Sequence, residues 1–236
     1  MKILTYHRVG PPRSGRYEKL TVLPRRFSFQ LGTMRRLGFS FCGMDEAAHL
    51  DTPTAPRRRC VVLTFDDGYA DLSEYVFPEL ETRGIPAVVF AVTDRQVANW
   101  MDWGELDPLP LLTRTQLKEA AERGIEIASH TRTHARLTEC SPSQLKHEVE
   151  GSKKILEDLL GREVRHFCYP YGAFNEKVID AVREAGYHTA CTTLKGVART
   201  GADAFALPRL TIGKRMGSFR FLRRLLTAHR HANTLR

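Results

Sequence analysis

Seven short apolar runs punctuate the chain, at 3–6, 60–65, 87–92, 125–128, 166–169, 188–193 and 206–212, several of them rich in Val and Ile. Runs of that length and composition predict buried β-strands. Between them apolar residues recur at helical spacing: Phe27, Leu31, Met34 and Leu37 ahead of Gly38; Leu117, Ala120 and Ala121 ahead of Gly124; Val178, Ala181, Val182 and Ala185 ahead of Gly186. The clearest helix opens at Ser141-Pro142-Ser143-Gln144, which combines an N-cap, a proline at the first helical position and a glutamine at the third. It carries Leu145, Val149, Leu156 and Leu159 on one side and stops at Gly161. Strands alternating with helices predict a largely parallel sheet or barrel.

Composition fits one domain of that kind. The chain has 236 residues, 42% of them hydrophobic, enough for a single core, with no repeat and no low-complexity run. No stretch is long enough to span a bilayer, and the opening Met1-Lys2-Ile3-Leu4-Thr5-Tyr6-His7 lacks the apolar core of a signal peptide. Five cysteines, Cys42, Cys60, Cys140, Cys168 and Cys191, are odd in number and scattered. The expectation is of reduced thiols in a cytoplasmic protein.

Charge divides the chain in two. Of a net charge of +9, seven units lie in 213–236, which contains Lys214, Arg215, Arg220, Arg223, Arg224, Arg230 and Arg236 and no acid. Drawn as a helix, this segment puts Phe219, Phe221, Leu222, Leu225 and Leu226 on one side and Arg220, Arg223, Arg224 and Arg230 on the other. Two expectations follow: an interfacial helix for an anionic membrane at the inner leaflet, or a last helix packed on the domain with a solvated basic face. No motif points to specific nucleic-acid binding.

The candidate chemistry begins where the second strand ends, at Leu63-Thr64-Phe65-Asp66-Asp67-Gly68. Adjacent side chains on an extended segment point to opposite sides, so two neighbouring carboxylates there can take different tasks, one holding a metal and one acting as a base. Ser129-His130-Thr131-Arg132-Thr133-His134 likewise follows an apolar run. Two histidines four apart converge on one cation if the segment turns after the first. Asp67, His130 and His134 then make a two-histidine, one-carboxylate set with positions left for water and substrate. Taken alone, an Asp-Asp pair at a strand end is more often a solvated turn or a helix cap, and a His-x-x-x-His is usually two exposed helix histidines; the combination at strand ends is what points to an active site.

These motifs, with Tyr169-Pro170-Tyr171-Gly172 in the same order, resemble the polysaccharide deacetylases that share the NodB homology domain, carbohydrate esterase family 4. The resemblance runs from Ile3 to about Ile212. It implies an irregular (β/α) barrel of about seven parallel strands over 1–212, with 213–236 as a basic amphipathic helix and tail of the same domain or facing a membrane. It further implies one divalent metal on Asp67, His130 and His134, zinc foremost with cobalt, nickel or manganese as alternatives. Asp66 becomes the general base, and the backbone N–H of Tyr169 the oxyanion donor. The reaction implied is removal of N-acetyl groups from amino sugars.

Two positions depart from the family pattern. The loop reads Cys168-Tyr169-Pro170-Tyr171-Gly172 where many members have an arginine that pairs with the base, and Arg209 in Leu207-Pro208-Arg209-Leu210 is the candidate substitute. Leu207-Pro208-Arg209 also stands where members commonly carry Leu-x-His, whose histidine protonates the leaving amine. The opening Tyr6-His7, with Val22 and Phe27-x-x-Gln30-Leu31, is similar to the branch that contains biofilm poly-N-acetylglucosamine deacetylases. That similarity gives the acid role to His7, ahead of His166 and His188.

Trp100 and Trp103, in an insertion at 93–112, and Tyr171 are candidate sugar contacts, since aromatic faces stack on sugar rings. The expected substrate is an amino sugar or glycan, lipid-linked or nucleotide-linked or an envelope precursor. The alternatives are an amidase of the same fold acting on a non-sugar amide and a non-catalytic module binding carbohydrate or lipid headgroups.

Overall fold

The computed structural model describes residues 1–12, 17–48, 59–98, 109–214 and 216–227. The seven apolar runs form seven strands: β1 (Lys2–Tyr6), β2 (Cys60–Asp67), β3 (Val88–Ala91), β4 (Glu126–Ser129), β5 (His166–Cys168), β6 (Thr189–Lys195) and β7 (Leu207–Thr211). Each pairs in parallel with its successor, and β1 pairs in parallel with both β2 and β7, so that Leu4 lies opposite Leu63 on one side and Leu210 on the other. The result is a closed parallel barrel in chain order. Parallel neighbours need crossover connections, and these supply α1 (Pro24–Arg36), α2 (Phe77–Arg83), α3 (Arg114–Glu122), α4 (Pro142–Leu160) and α5 (Glu176–Glu184). The described chain between β6 and β7 holds no helix, which makes the barrel irregular, and α6 (Ser218–Thr227) follows β7.

Strand alternation sorts the side chains. Ile3, Val62, Val88, Phe90, Ala128, Cys168, Cys191 and Leu207 form one apolar cluster to which all seven strands contribute, and this is the barrel interior. Met44 and Ala47 join that cluster from a short helix, Asp45–Ala48. The intervening residues, among them Leu4, Tyr6, Val61, Leu63, Phe65, Val89, Ile127, Phe167 and Leu210, face outward and pack beneath helix residues such as Phe27, Leu31, Leu117, Val149, Leu156 and Val182.

The capping signals behave as expected. Ser141 Oγ accepts from the Gln144 N–H at 3.3 Å, Gln144 Oε1 accepts from the Ser141 N–H at 2.8 Å, and Gly161 ends α4 at φ 63°.

Two expectations need correction. Cys42, one residue past the short strand Ser40–Phe41, is disulfide-bonded to Cys60 at the start of β2, with Cα atoms 6.1 Å apart. Three cysteines are therefore free, not five, and the cysteines no longer argue for a cytoplasmic setting. The apolar side drawn for the last helix is also split: Phe221 and Leu225 are buried in the outer core, whereas Phe219 and Leu226 are exposed. No described helix is long and apolar enough to cross a membrane.

Candidate active site

β2 runs Val62, Thr64, Asp66 along its inward face, so Asp66 enters the barrel at the C-terminal end, where the strands of such folds present their functional groups. Asp67 then turns to φ 72°. Four non-glycine residues with positive φ occur among the described residues, Asp67, Thr131 (68°), His134 (62°) and Tyr171 (60°), and all four belong to the motifs that read as functional. A left-handed backbone costs a non-glycine residue roughly 1–3 kcal/mol, and its concentration at one site marks conformations retained for the site's geometry. Gly172 follows at φ 66°, where a Cβ would collide with Thr193 Oγ1.

Asp67, His130 and His134 come together as expected. Asp67 Oδ1 lies 3.4 Å from His130 Nε2 and 3.3 Å from His134 Nε2, and all three side chains are buried. His130 Nδ1 donates to the Cys168 carbonyl at 2.7 Å, which turns the lone pair of Nε2 toward Asp67. Burial works against the Asp67 carboxylate, but the two imidazoles of His130 and His134 beside it hold its carboxyl well below the usual range. The spacing suits a metal better than direct hydrogen bonds. Charge-assisted bonds run at about 2.7–2.9 Å, whereas tetrahedral ligands about 2.0–2.1 Å from a zinc ion stand about 3.4 Å from each other. The buried donor set thus fits a divalent ion.

Asp66 faces a different partner. Arg209 Nη1 donates to Asp66 Oδ1 and Nη2 to Oδ2, both at 2.7 Å, while Nε donates to the Thr192 carbonyl at 3.0 Å and Nη1 to Thr64 Oγ1 at 3.1 Å. Burial pushes the Asp66 carboxyl up, yet the Arg209 charge and its hydrogen bonds outweigh it, so Asp66 stays ionised below its usual range. The arginine expected from sequence as the substitute is therefore in contact with Asp66. Cys168, in the place of the missing loop arginine, lies 3.1 Å from Arg209 Nη2, and its small side chain leaves room for a guanidinium arriving from β7. Burial raises the Cys168 thiol to about 11, so it remains a neutral thiol.

His7 leaves the end of β1 beside β2, near enough for its charge to lower the carboxyls of both Asp66 and Asp67. Its Nδ1 is buried without a hydrogen-bond partner among the described residues. The next residue, Arg8, is tied to Asp71, the first residue of the short helix Asp71–Tyr75 that follows β2, Nη2 to Oδ2 at 2.6 Å, which fixes the turn that carries His7.

The expectation for Tyr169 does not hold. Its N–H donates to the Cys191 carbonyl at 3.1 Å in the barrel ladder, and its ring lies in the outer core. The loop residue at the site is Tyr171, 40% exposed, its ring 4.6 Å edge-on from that of His134 and beneath the Arg136 guanidinium. Trp100 and Trp103 lie outside the described residues.

His166 belongs to the opposite end of the barrel, where Nε2 lies 3.1 Å from Asp45 Oδ1 and 3.2 Å from Glu126 Oε1. Arg165 braces the same two carboxylates. His188 pairs with Glu163 on the surface. Neither can serve as the acid.

Sequence reasoning missed Glu148. This largely buried residue of α4 accepts the N–H groups of Arg132 and Thr133, each at 2.9 Å, and the Thr133 hydroxyl at 2.7 Å, and so shapes the loop between the two histidines. The available signal was a carboxylate beside Val149 on the apolar side of a strongly patterned helix.

The family described as Polysaccharide deacetylase matches residues 54–190. YxkH of Bacillus subtilis, named for polysaccharide deacetylation, is 29% identical over 222 residues, covering 94% of this chain and 74% of its own. The poly-β-1,6-N-acetyl-D-glucosamine N-deacetylase of Staphylococcus epidermidis is 27% identical over 66% of this chain, which spans about half, 55%, of that protein. Among solved structures, the Streptococcus pyogenes deacetylase PplD in complex with acetate superposes at a TM-score of 0.82 with 26% identity, covering 94% of this chain and 96% of that one. IcaB from Ammonifex degensii gives 0.79 and 26%, covering 96% of each. With a closed seven-stranded parallel barrel and a family match over more than half its length, the chain belongs to the polysaccharide deacetylase family.

Proposed function

We propose that the protein is a metal-dependent hydrolase that removes an N-acetyl or other small N-acyl group from an amino sugar in a glycan or glycan precursor. The observation that carries this reading is the division of labour between adjacent carboxylates. Asp67 points to two histidine nitrogens at metal-ligand spacing, while Asp66 is held ionised by Arg209. Asp67, His130 and His134 would hold the ion, with zinc best suited to two nitrogens and one oxygen, and cobalt, nickel and manganese as alternatives. Such an ion supplies Lewis acidity to the acyl carbonyl and to the attacking water.

The remaining chemistry falls to side chains. An amide is a poor electrophile with a poor leaving group, so water must lose a proton and nitrogen must gain one. Asp66 takes the first proton, and Arg209 orients its carboxylate for that transfer. His7, across from both aspartates, delivers a proton to the departing nitrogen. Tyr171 presents the edge of the acyl pocket against His134. A binding module would have no use for an ionised base beside a metal set, which disfavours the non-catalytic alternative. The relatives named for N-acetylglucosamine polymers support an acetylated amino sugar as the substrate.

The test is acetate release from oligomers of N-acetylglucosamine and from simple alkyl acetamides. Preferred release from the sugars, abolished by a chelator and restored by zinc, is the expected result. Equal rates on both classes would favour a general amidase, and no release from either would overturn the reading.

A further inference from the structure

β7 ends at Thr211, two residues beyond Arg209. Alternate strand residues share a face, so Thr211 continues the inward face of Leu207 and Arg209, about 7 Å nearer the barrel mouth. Thr211 lines a cavity of 590 Å³ together with Lys19, Lys195, Arg220, Arg223 and Arg224. Its volume is within the range of small-molecule sites.

Five cations, drawn from the segment after β1, the end of β6 and helix α6, thus face one concavity, and no carboxylate lines it among the described residues. Glu18, beside Lys19 in the chain, is engaged with Lys214. None of the five forms an ion pair with a described carboxylate. Arg224 is half-buried, donates through Nη1 to the Thr211 carbonyl at 3.2 Å, and has its pKa lowered by burial. Cations gathered in a partly desolvated hollow repel one another and focus a positive field into it. An anion relieves that repulsion, and guanidinium and ammonium groups together match a phosphate. A neutral glycan would use none of this charge.

We infer that this cavity is a subsite for a phosphate group carried by the substrate, esterified to the amino sugar whose N-acyl group lies over Asp66 and Asp67. The inference rests on the deacetylase reading for the sugar, but the phosphate site can be tested without turnover. Inorganic pyrophosphate titrated calorimetrically into the full chain should bind. Lys195→Gln and Arg223→Gln, both exposed positions, should each weaken it by about tenfold or more, the loss of one charge-assisted contact. Lys154→Gln, which removes an exposed charge paired with Asp158 on α4, should leave binding as it was.

In turnover, the KM for N-acetylglucosamine 1-phosphate should rise in Lys195→Gln more than the KM for N-acetylglucosamine. Pyrophosphate binding that Lys195→Gln and Arg223→Gln leave intact would place the anion elsewhere and overturn the inference. So would absence of pyrophosphate binding together with Arg223-dependent sedimentation on phosphatidylglycerol vesicles, which would give the cations to a lipid surface. Binding that follows the variants without acetate release from any sugar would retain the phosphate site and remove the deacetylase reading alone.

Discussion

Arg209 on β7 grips both oxygens of Asp66 on β2 at 2.7 Å, across a barrel interior that excludes water from both side chains. The pair joins residues 143 positions apart, and it defines which of the two adjacent aspartates is left without histidine partners. Removing one member of a buried pair leaves an uncompensated charge. Arg209→Met should cost about 3–5 kcal/mol of stability, measured by urea unfolding, and Asp66→Asn in the same background should recover part of that loss. If Arg209→Met is as stable as the parent, the pair does not organise the site.

His7 is assigned the proton donated to the leaving nitrogen. His7→Ala should lower the rate on an N-acetyl sugar by roughly 10²–10⁴-fold, the span typical of losing a general acid, with metal content unchanged. An oxygen leaving group of low pKa departs without protonation, so an activated acetate ester should lose far less. Equal losses on amide and ester would mean general damage to the site.

Glu148 acts on the site through the loop it holds. Glu148→Ala strands two backbone N–H groups, each worth about 1–3 kcal/mol when left unsatisfied in a buried setting, and frees the backbone that aims His134. The expected outcome is weaker metal affinity, read by competition with a chelator, with partial recovery in Glu148→Gln. A stability loss with metal affinity unchanged would confine Glu148 to folding.

The opposite end of the barrel gives a pH-dependent contribution to stability. Burial opposes the charged form of His166, but hydrogen bonds to Asp45 and Glu126 outweigh it and raise the imidazole above its ordinary value. Arg165, reaching both carboxylates, is the other charged group at this contact. A raised folded-state pKa means stability that is fully present below the unfolded value of about 6.5 and lost as pH rises through the folded one. Unfolding free energy should therefore fall as pH rises above about 6.5, and His166→Gln should flatten that dependence. A slope that persists in the variant would assign the effect to other groups.

Much of this was legible in local patterns. Apolar runs marked all seven strands because each is buried on both faces, and Ser141 with Gln144 marked the start of α4. Asp67, His130 and His134 stood out because metal ligands must cluster by residue type. α2 escaped notice because it is short and buries only Phe77 and Leu80. Glu148 escaped for a different reason: a carboxylate on a helix reads as solvated until the loop that it binds is placed beside it. Tyr169 shows the limit of matching by motif alone, since which N–H of a loop is free depends on where the β5 ladder stops, and it stops one residue later than the motif suggests. The Cys42–Cys60 pairing joins an edge strand to β2 and depends on a register that spacing does not reveal.

The division between the two aspartates is the central claim, and metal content per chain tests it most directly. Elemental analysis of Asp66→Asn and Asp67→Asn, purified side by side with the parent, should find about one equivalent of divalent metal in the parent and in Asp66→Asn, and little in Asp67→Asn, since two remaining protein ligands hold an ion weakly. A full equivalent in Asp67→Asn with loss of metal from Asp66→Asn would contradict the assignment and exchange the two roles.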